Sequence, residues 1–413
     1  DATVADMCLD GKCRGFVGYE VALDLWGVGF DTGFDVSLDG VGYGEGSWYA
    51  LAYADGAFAG GFFNAGAIVR IDDPSNPQAM VETIQETRFT DIHDRVAVDE
   101  DGQVWWLEGG VWTKDSLLND FVEESGAPTT LHAVTSITRE STVRIWLQGR
   151  VGGGAGDVYT RVCDVELEGS GGIESVDCDP IEWQFDFGAI AGGVAAYSDC
   201  GSDCLDALVI SGTNSPAGGQ SFYNDVVESY DGLNDWVSGF YDPGAQVQEI
   251  RDVVGYGGEQ FLVVGTGGHM RHRHPQCGNG ACQGALGETS FSCPSDCNAQ
   301  EGAGAWSNEL SSIASGLEQR DLSGAWAGGG AVLVSAHRVF LTDSLELWSV
   351  AEASSPTLGT SWTTHALTAT AGGFGSLGDV WGLDDGHVVT VGSGRLNQLG
   401  LPTRRALIFM RTP

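Results

Sequence analysis

Basic residues are scarce in this chain of 413 residues. It contains 19 Lys and Arg against 57 Asp and Glu, which gives a formal net charge of −38. Proteins bind nucleic acids and anionic lipids largely by neutralising phosphates with Lys and Arg. The charge balance therefore excludes nucleic acid as a partner. It favours either solubility in a salty medium or the attraction of a cationic partner.

Long apolar runs and catalytic signatures are also absent from the sequence. No stretch approaches the ~20 apolar residues that a membrane-spanning helix requires, so we expect no membrane span. There is no G-x-S-x-G elbow, no P-loop and no H-E-x-x-H pair, so no catalytic residue can be named. A pair of carboxylates suited to acid/base catalysis would have to be brought together by folding.

Glycine, in contrast, is abundant. The chain has 63 glycines but only 11 prolines, and 10% of its residues are aromatic. Glycine spread evenly among aromatic and β-branched residues predicts many short strands joined by tight turns. Amphipathic helical patterns are few, and the best candidate is the segment 116–125.

A block of strand, hairpin turn and strand recurs along the chain. Clear copies lie at 95–109, 252–265, 324–336 and 379–392, and weaker copies lie at 50–61, 137–149 and 194–212. Repeats of about 40–55 residues with four strands each are the signature of a β-propeller. The sequence thus predicts an all-β propeller over 16–413 with seven blades, six or eight being the alternatives. We expect a C-terminal strand at 404–411 to close the ring by pairing near 16–30.

Ten cysteines fall into local groups. They are Cys8 and Cys13, Cys163 and Cys178, Cys200 and Cys204, and the cluster Cys277, Cys282, Cys293 and Cys297. An even count in short-range groups favours disulfides, and hence a secreted, extracellular or cell-surface protein, with the periplasm as an alternative. Structural zinc is the rival interpretation of the cluster. We therefore predict an N-terminal disulfide-bearing segment at 1–15 and a cysteine-rich insertion at 275–300.

Two groups of side chains are candidate metal ligands. Asn279, Glu288 and Asp296 in the cysteine-rich insertion offer the hard oxygens that calcium takes, although the same residues can cap turns. His269, His272 and His274 precede the insertion, and on a strand His272 and His274 would share one face, as two transition-metal ligands should. The alternatives for the histidines are a solvated loop or, with the arginines between them, a patch for an acidic partner.

Several segments resemble known repeats. The segment CGNGACQGALGETSFSCPSDC at 277–297 resembles a cysteine-rich repeat of exported myxobacterial proteins, C-G-[ND]-G-x-C…G-E…C-P-x-D-C, which implies export. The blade copies resemble the DVWAVG-containing propeller repeats of similar exported bacterial proteins. NQLG at 397–400 resembles RCC1-type repeats. SYDGLNDW at 229–236 resembles the Asp-box of sialidase-like propellers, which marks a structural turn.

These observations favour a non-catalytic binding or scaffold propeller outside the cell. Its expected partner is another protein or a glycan, and it could be one subunit of a larger envelope or appendage assembly. Calcium is the one cofactor that the sequence suggests. The alternative function is that of a carbohydrate-active or other hydrolytic propeller with a carboxylate site in its central funnel.

Overall fold

Short antiparallel strands make up almost all of the described structure. The computed structural model describes residues 7–9, 12–14, 20–24, 35–58, 61–71, 79–85, 87–123, 129–151, 157–169, 171–179, 182–185, 190–197, 208–217, 221–229, 237–242, 249–255, 260–273, 306–308, 321–328, 331–337, 348–354, 362–367, 375–398 and 401–411. Within these ranges no helix is long and apolar enough to cross a membrane.

The first three sheets, which we call blades 1 to 3, follow one another along the chain. Blade 1 contains β4 (Asp35–Gly44), β5 (Ser47–Phe58), β6 (Gly61–Ile71) and β7 (Ala79–Gln85). Blade 2 contains β8 (Phe89–His93), β9 (Val96–Asp99), β10 (Val104–Glu108) and β11 (Val111–Lys114). Blade 3 contains β12 (Thr129–Arg139), β13 (Thr142–Val151), β14 (Asp157–Leu167), β15 (Ile173–Cys178) and β16 (Glu182–Phe185).

Blades 4 to 6 have four strands each. Blade 4 contains β17 (Ile190–Tyr197), β18 (Leu208–Ala217), β19 (Ser221–Ser229) and β20 (Val237–Asp242). Blade 5 contains β21 (Ile250–Gly255), β22 (Phe261–Gly265), β23 (Met270–Arg273) and β24 (Trp306–Asn308), with a short 3₁₀ helix at Thr266–Gly268. Blade 6 contains β25 (Asp321–Gly328), β26 (Ala331–His337), β27 (Trp348–Ser354) and β28 (Trp362–Leu367).

Blade 7 closes the ring with strands from both ends of the chain. It contains β29 (Gly375–Gly382), β30 (Val388–Gln398) and β31 (Leu401–Arg411), and its fourth strand is β3 (Glu20–Asp24). The pairing of Glu20 with Met410 and of Asp24 with Leu407 confirms the predicted closure. Ahead of it, β1 (Met7–Leu9) and β2 (Lys12–Arg14) form a small hairpin that places Cys8 opposite Cys13.

The first strands of the seven blades form a closed ring. Each of β4, β8, β12, β17, β21, β25 and β29 contacts the next, and β29 contacts β4. Apolar side chains fill the space between neighbouring blades. For example, Trp48 and Val41 of blade 1 pack with Val389 and Ile408 of blade 7. The protein is therefore a β-propeller, and the described strands form seven blades, as the repeats predict.

Local sequence explains individual hairpins and the α-helix found among the described residues. Glu45 and Gly46 form the two-residue turn between β4 and β5, and both have positive φ, 46° and 84°, as a type I′ turn requires. The helix α1 (Ser116–Glu123) lies within 116–125, the segment that is the best helix candidate in the sequence. It begins after Asp115, whose side-chain oxygen accepts the N–H groups of Leu117 and Leu118 as a helix cap.

Two of the predicted repeat copies occupy different places in their blades from the others. The copy at 50–61 is not a hairpin, because Asp55 and Gly56 lie inside the continuous strand β5. The copy at 95–109 is a hairpin, but it joins the second and third strands of blade 2. The copies at 252–265, 324–336 and 379–392 instead join the first and second strands.

Candidate functional site

Every first strand carries a β-bulge at an equivalent position, where it faces the centre of the ring. The shifts in register fall at Leu38/Gly40, Phe89/Asp91, Leu131/Ala133, Ala191/Gly193, Ile250/Asp252, Leu322/Gly324 and Leu377/Val380. Bulges redirect side chains and are frequent beside functional sites. The residue at the bulge is aspartate in blades 2, 5 and 7, whereas it is glycine or alanine in blades 1, 3, 4 and 6.

The three bulge aspartates join adjacent blades through hydrogen bonds. Asp91 accepts the N–H of Ile92 on one oxygen, at 2.8 Å, and the N–H of Val134 in blade 3 on the other, at 2.7 Å. The same pair of bonds recurs at Asp252 with Val253 and Ala325, both at 2.7 Å, and at Asp379 with Val380 and Val41, at 2.7 and 3.1 Å. Each carboxyl group thus connects its own first strand to that of the next blade.

A glutamine makes the corresponding connection between blades 3 and 4, where the bulge residue is Ala133. The fully buried Gln148 of β13 accepts the N–H of Gly193 at 3.2 Å and donates to the carbonyl of Gly212 at 3.0 Å. An amide satisfies an N–H and a C=O together, so this joint carries no charge. Among the seven bulge positions, a carboxyl group is therefore found only in blades 2, 5 and 7.

The aspartates line a cavity of about 170 Å³ in the central channel. First strands of blades 2 to 7 supply its wall, which includes His93, Thr135, Trp326 and Trp381. The carboxyl groups of Asp91, Asp252 and Asp379 lie deep in the molecule but keep part of their surface towards the cavity. A cavity of roughly 150 Å³ holds a benzene ring, so this one has room for the end of a large side chain.

Two indoles are fixed in the cavity wall by glycines and by a neighbouring ring. Trp326 lies against blade 7, where a Cβ atom on Gly382 would come within 2.6 Å of the indole; one on Gly328 would come within 2.5 Å. Trp381 packs against the core between blades 1 and 7 and meets the ring of His93 edge to face, with 5.4 Å between ring centroids. His93 is in turn held by Ser136, at 3.0 Å from Nδ1.

Burial disfavours the ionised form of all three aspartates, and repulsion between carboxylates adds to this effect at Asp252 and Asp379. Burial raises the pKa of Asp91 to about 7, against the bonds from Val134 and Ile92, which lower it. Burial and the nearby charge of Asp91 raise the pKa of Asp252 to about 7. Burial, with the charges of Asp252 and Asp91, raises the pKa of Asp379 well above its usual range. The three groups are thus close enough to influence one another across the channel.

The structure tests only some of the sites predicted from sequence. Cys163 and Cys178 lie opposite each other on β14 and β15 and form a disulfide, as predicted. Cys200, Cys204, the four-cysteine cluster and the calcium candidates Asn279, Glu288 and Asp296 lie outside the described residues. Their pairing and their calcium site stay predictions.

Two of the three candidate histidines are buried in blade 5. His269 follows the 3₁₀ helix and His272 lies in β23, with exposed fractions of 1% and 2%. His274 lies outside the described residues. In the part of the chain that the structure describes, no group of three or more His, Cys, Asp or Glu side chains could hold a metal ion. The transition-metal site stays a prediction.

Comparison with known proteins supports the fold. No family model and no curated protein matches the sequence, whereas solved structures do. YCF48 from Cyanidioschyzon merolae is similar over 96% of this chain and 99% of its own, with a TM-score of 0.51 and 9% identity. YCF48 bound to D1 peptide has a TM-score of 0.47 and 10% identity, over 100% of this chain and 99% of its own. Trypanosoma rangeli sialidase with the inhibitor DANA has a TM-score of 0.42 and 12% identity, over 97% of this chain but 56% of the sialidase.

Proposed function

We propose that this propeller is a non-catalytic binding protein that holds a segment of a partner protein in its central channel. The observation that carries the proposal is the cavity, which has two fixed indoles, Trp326 and Trp381, in its wall. Rigid aromatic side chains with a few convergent polar groups are typical of binding pockets. A fixed wall also lowers the entropic cost of binding, because few side chains must be ordered when the ligand enters.

The arrangement of the carboxyl groups favours binding over hydrolysis. General acid/base catalysis needs two groups whose surroundings drive their pKa values apart. Here Asp91, Asp252 and Asp379 have equivalent surroundings, and the pKa of each is raised. Both oxygens of each group also accept a backbone N–H, which ties them to the joints between blades. These features suit a structural wall better than a pair of reacting groups.

One observation keeps hydrolysis as a second candidate function. A carboxyl group with a pKa near 7, such as that of Asp91 or Asp252, could donate a proton to a leaving group at neutral pH. Indoles also stack on sugar rings, so a glycan is the alternative occupant of the same cavity. Under this second proposal the protein would cleave a glycosidic bond in the channel.

We further propose that the protein works outside the cytoplasm, as a secreted or cell-surface protein. The Cys163–Cys178 disulfide supports this, because disulfides persist in oxidising compartments. Assembly with other subunits and a calcium site in the cysteine-rich insertion belong to the same proposal. The strongly negative charge is consistent with a cationic partner.

Selection from a phage-displayed library of random peptides tests the binding function on the full chain. We expect the selected peptides to bind Trp381→Leu at least tenfold more weakly than the wild type, because one wall of the cavity is lost. Binding to Leu117→Ala should be unchanged, since Leu117 is 41% exposed on α1, away from the channel. Circular dichroism would show whether both variants fold. If Trp381→Leu does not fold, Trp326→Phe would be used in its place.

Two outcomes would overturn this proposal. In the first, selected peptides bind the wild type and both indole variants equally, which would place the binding surface elsewhere. In the second, the wild type cleaves fluorogenic glycosides and Asp91→Asn loses that activity while its fold is retained. The second result would replace the binding function with the hydrolytic one.

A further inference from the structure

We infer that the channel cavity receives a cationic side chain, arginine or lysine, from the partner segment. This inference rests on the proposed binding function and specifies the group that enters the cavity. Two independent features of the cavity support it: the charge on its wall and the chemistry of its two indoles.

Three blades each place a carboxyl group on the wall of the cavity. Asp91, Asp252 and Asp379 all face it, the charge of Asp91 raises the pKa of Asp252, and the charges of Asp252 and Asp91 raise the pKa of Asp379. Among the described residues, each carboxyl group accepts only backbone N–H bonds, which satisfy hydrogen bonding but bring no full positive charge. A cation that enters the cavity would therefore meet three carboxyl groups and would relieve the repulsion between them.

The two indoles favour an organic cation. A cation within about 6 Å of a ring centroid is attracted by the face of an aromatic ring, and tryptophan is the best of the aromatic residues in this role. Arginine also stacks its planar guanidinium on aromatic faces while it donates hydrogen bonds to carboxylates. Lysine donates to carboxylates as a compact positive charge. A small hard ion such as calcium would instead need six to eight oxygen ligands around it. The combination of Trp326, Trp381 and three carboxyl groups thus fits a side chain better than a metal ion.

The same cavity disfavours an anionic ligand. A glutamate or phosphate would have to approach three carboxyl groups in a narrow channel of a protein with a net charge of −38. Juxtaposed like charges are strongly unfavourable at an interface. The charge of the site therefore gives specificity by excluding acidic segments as well as by attracting basic ones.

Titration of peptides against the full chain, followed by the indole N–H signals of Trp326 and Trp381 in NMR spectra, tests the inference. The probes are the acetylated and amidated peptide Gly-Gly-Arg-Gly-Gly and the same peptide with citrulline, which keeps the shape of arginine without its charge. We expect saturable shifts of both signals with the arginine peptide. The citrulline peptide should bind at least tenfold more weakly.

A variant and its matched control locate the charge that matters. Asp252→Asn should weaken binding of the arginine peptide severalfold, because one of the three carboxyl groups is lost. Glu174→Gln makes the same change of charge at an exposed position of β15 and should have no effect. If Asp252→Asn does not fold, the salt dependence replaces it, since binding through charge should weaken as salt is raised.

The pH dependence provides a further readout. The titratable groups on the cavity wall are the three aspartates and His93. As the pH rises through about 7, Asp91 and Asp252 ionise, so affinity for the arginine peptide should increase between about pH 5 and about pH 8. Binding of the citrulline peptide should change less over the same interval.

Two results separate failure of this inference from failure of the proposed function. If the citrulline and arginine peptides shift the two indole signals with equal affinity, a partner segment still occupies the channel but its group is not cationic. The same conclusion follows from two observations made together. Neutral peptides selected from the library bind the wild type more tightly than Trp381→Leu, and the arginine peptide does not bind. If neither the arginine peptide nor any selected peptide affects the channel indoles, both proposals are wrong.

Discussion

At the scale of single residues, the bulge positions of the first strands divide between aspartate and small residues for steric reasons. A Cβ atom on Gly324 would collide with Asp379, both at its backbone and at its carboxyl group. Gly193 is similarly close to Asp252, since its Cβ would lie 3.1 Å from the Cα of that residue. In these two cases a small residue in one blade makes room for the aspartate of the next.

The variant Gly324→Ala tests this steric account. The added methyl group should displace Asp379 from its bonds to Val41 and Val380, and lower the free energy of unfolding by about 1–3 kcal/mol, as overpacking does. Gly169→Ala is the matched control, because nothing lies within 4 Å of a Cβ there. Urea unfolding measures both. Equal stability of the two variants would contradict the close approach of Gly324 and Asp379.

The raised pKa values of the channel aspartates predict how stability depends on pH. The pKa of Asp91 is about 7 in the folded protein against 3.8 in the unfolded chain. Between these values the folded protein binds a proton that the unfolded chain has lost. Asp91 therefore contributes to the stability of the folded protein below about pH 4, and this contribution is lost as the pH rises to about 7. The free energy of unfolding falls over this interval by at most about 1.4 kcal/mol per pH unit for one group.

The variant Asp91→Asn should reduce this loss of stability. Its free energy of unfolding, from urea titrations at several pH values, should depend less on pH between about 4 and 7 than that of the wild type. Glu174→Gln, on the outer surface, should leave the slope unchanged. A slope that is the same in Asp91→Asn and the wild type would show that Asp91 is already ionised in the folded protein at low pH.

Sequence reasoning did not identify these residues, although a signal was present. Asp252 and Asp379 begin two of the recognised copies, but nothing in one strand shows that its first residue faces those of other blades. Asp91 fell outside its copy at 95–109, because that copy is the second hairpin of its blade. Alignment on the bulge itself, as in FTDIH, IRDVV and LGDVW, would have placed all three aspartates at one position.

At the scale of elements, alternation of apolar residues and turn chemistry predict most of the fold. Hairpins such as β21–β22, β25–β26 and β29–β30 follow from β-branched residues on both sides of an acidic or glycine-rich turn. The segment at 50–61 was misinterpreted because Asp-Gly usually marks a turn. In β5, pairing with β6 holds Asp55 and Gly56 in an extended strand, and Asp55 also pairs with Asp35 of β4, so that tertiary pairing overrides the local preference.

The closing strand β3 gives a prediction at this scale. Removal of residues 1–24 would delete β3 and expose the edge of β31. We expect this truncated protein to unfold at a lower urea concentration and to self-associate, because an unpaired strand edge is a template for aggregation. Removal of residues 1–14 is the control, since it deletes only the small hairpin β1–β2. Equal behaviour of the two proteins would contradict closure through β3.

At the scale of the whole molecule, the ring brings together groups that are remote in sequence. The cavity contains Asp91, Asp252 and Asp379, which belong to blades 2, 5 and 7, and closure of the ring makes them neighbours. Composition alone predicts the acidic character of the protein, but only the ring places part of that charge in a channel with two indoles. The central claim is that this channel is the binding site.

Hydrogen exchange of the full chain, with and without the tightest peptide selected from the library, tests that claim most directly. The account predicts slower exchange in the channel segments 91–93, 252–255 and 379–381 when the peptide is bound. Exchange in the fourth strands at 111–114 and 362–367 should stay unchanged. Protection confined to fourth strands, with none in the channel segments, would contradict the claim that the channel is the binding site.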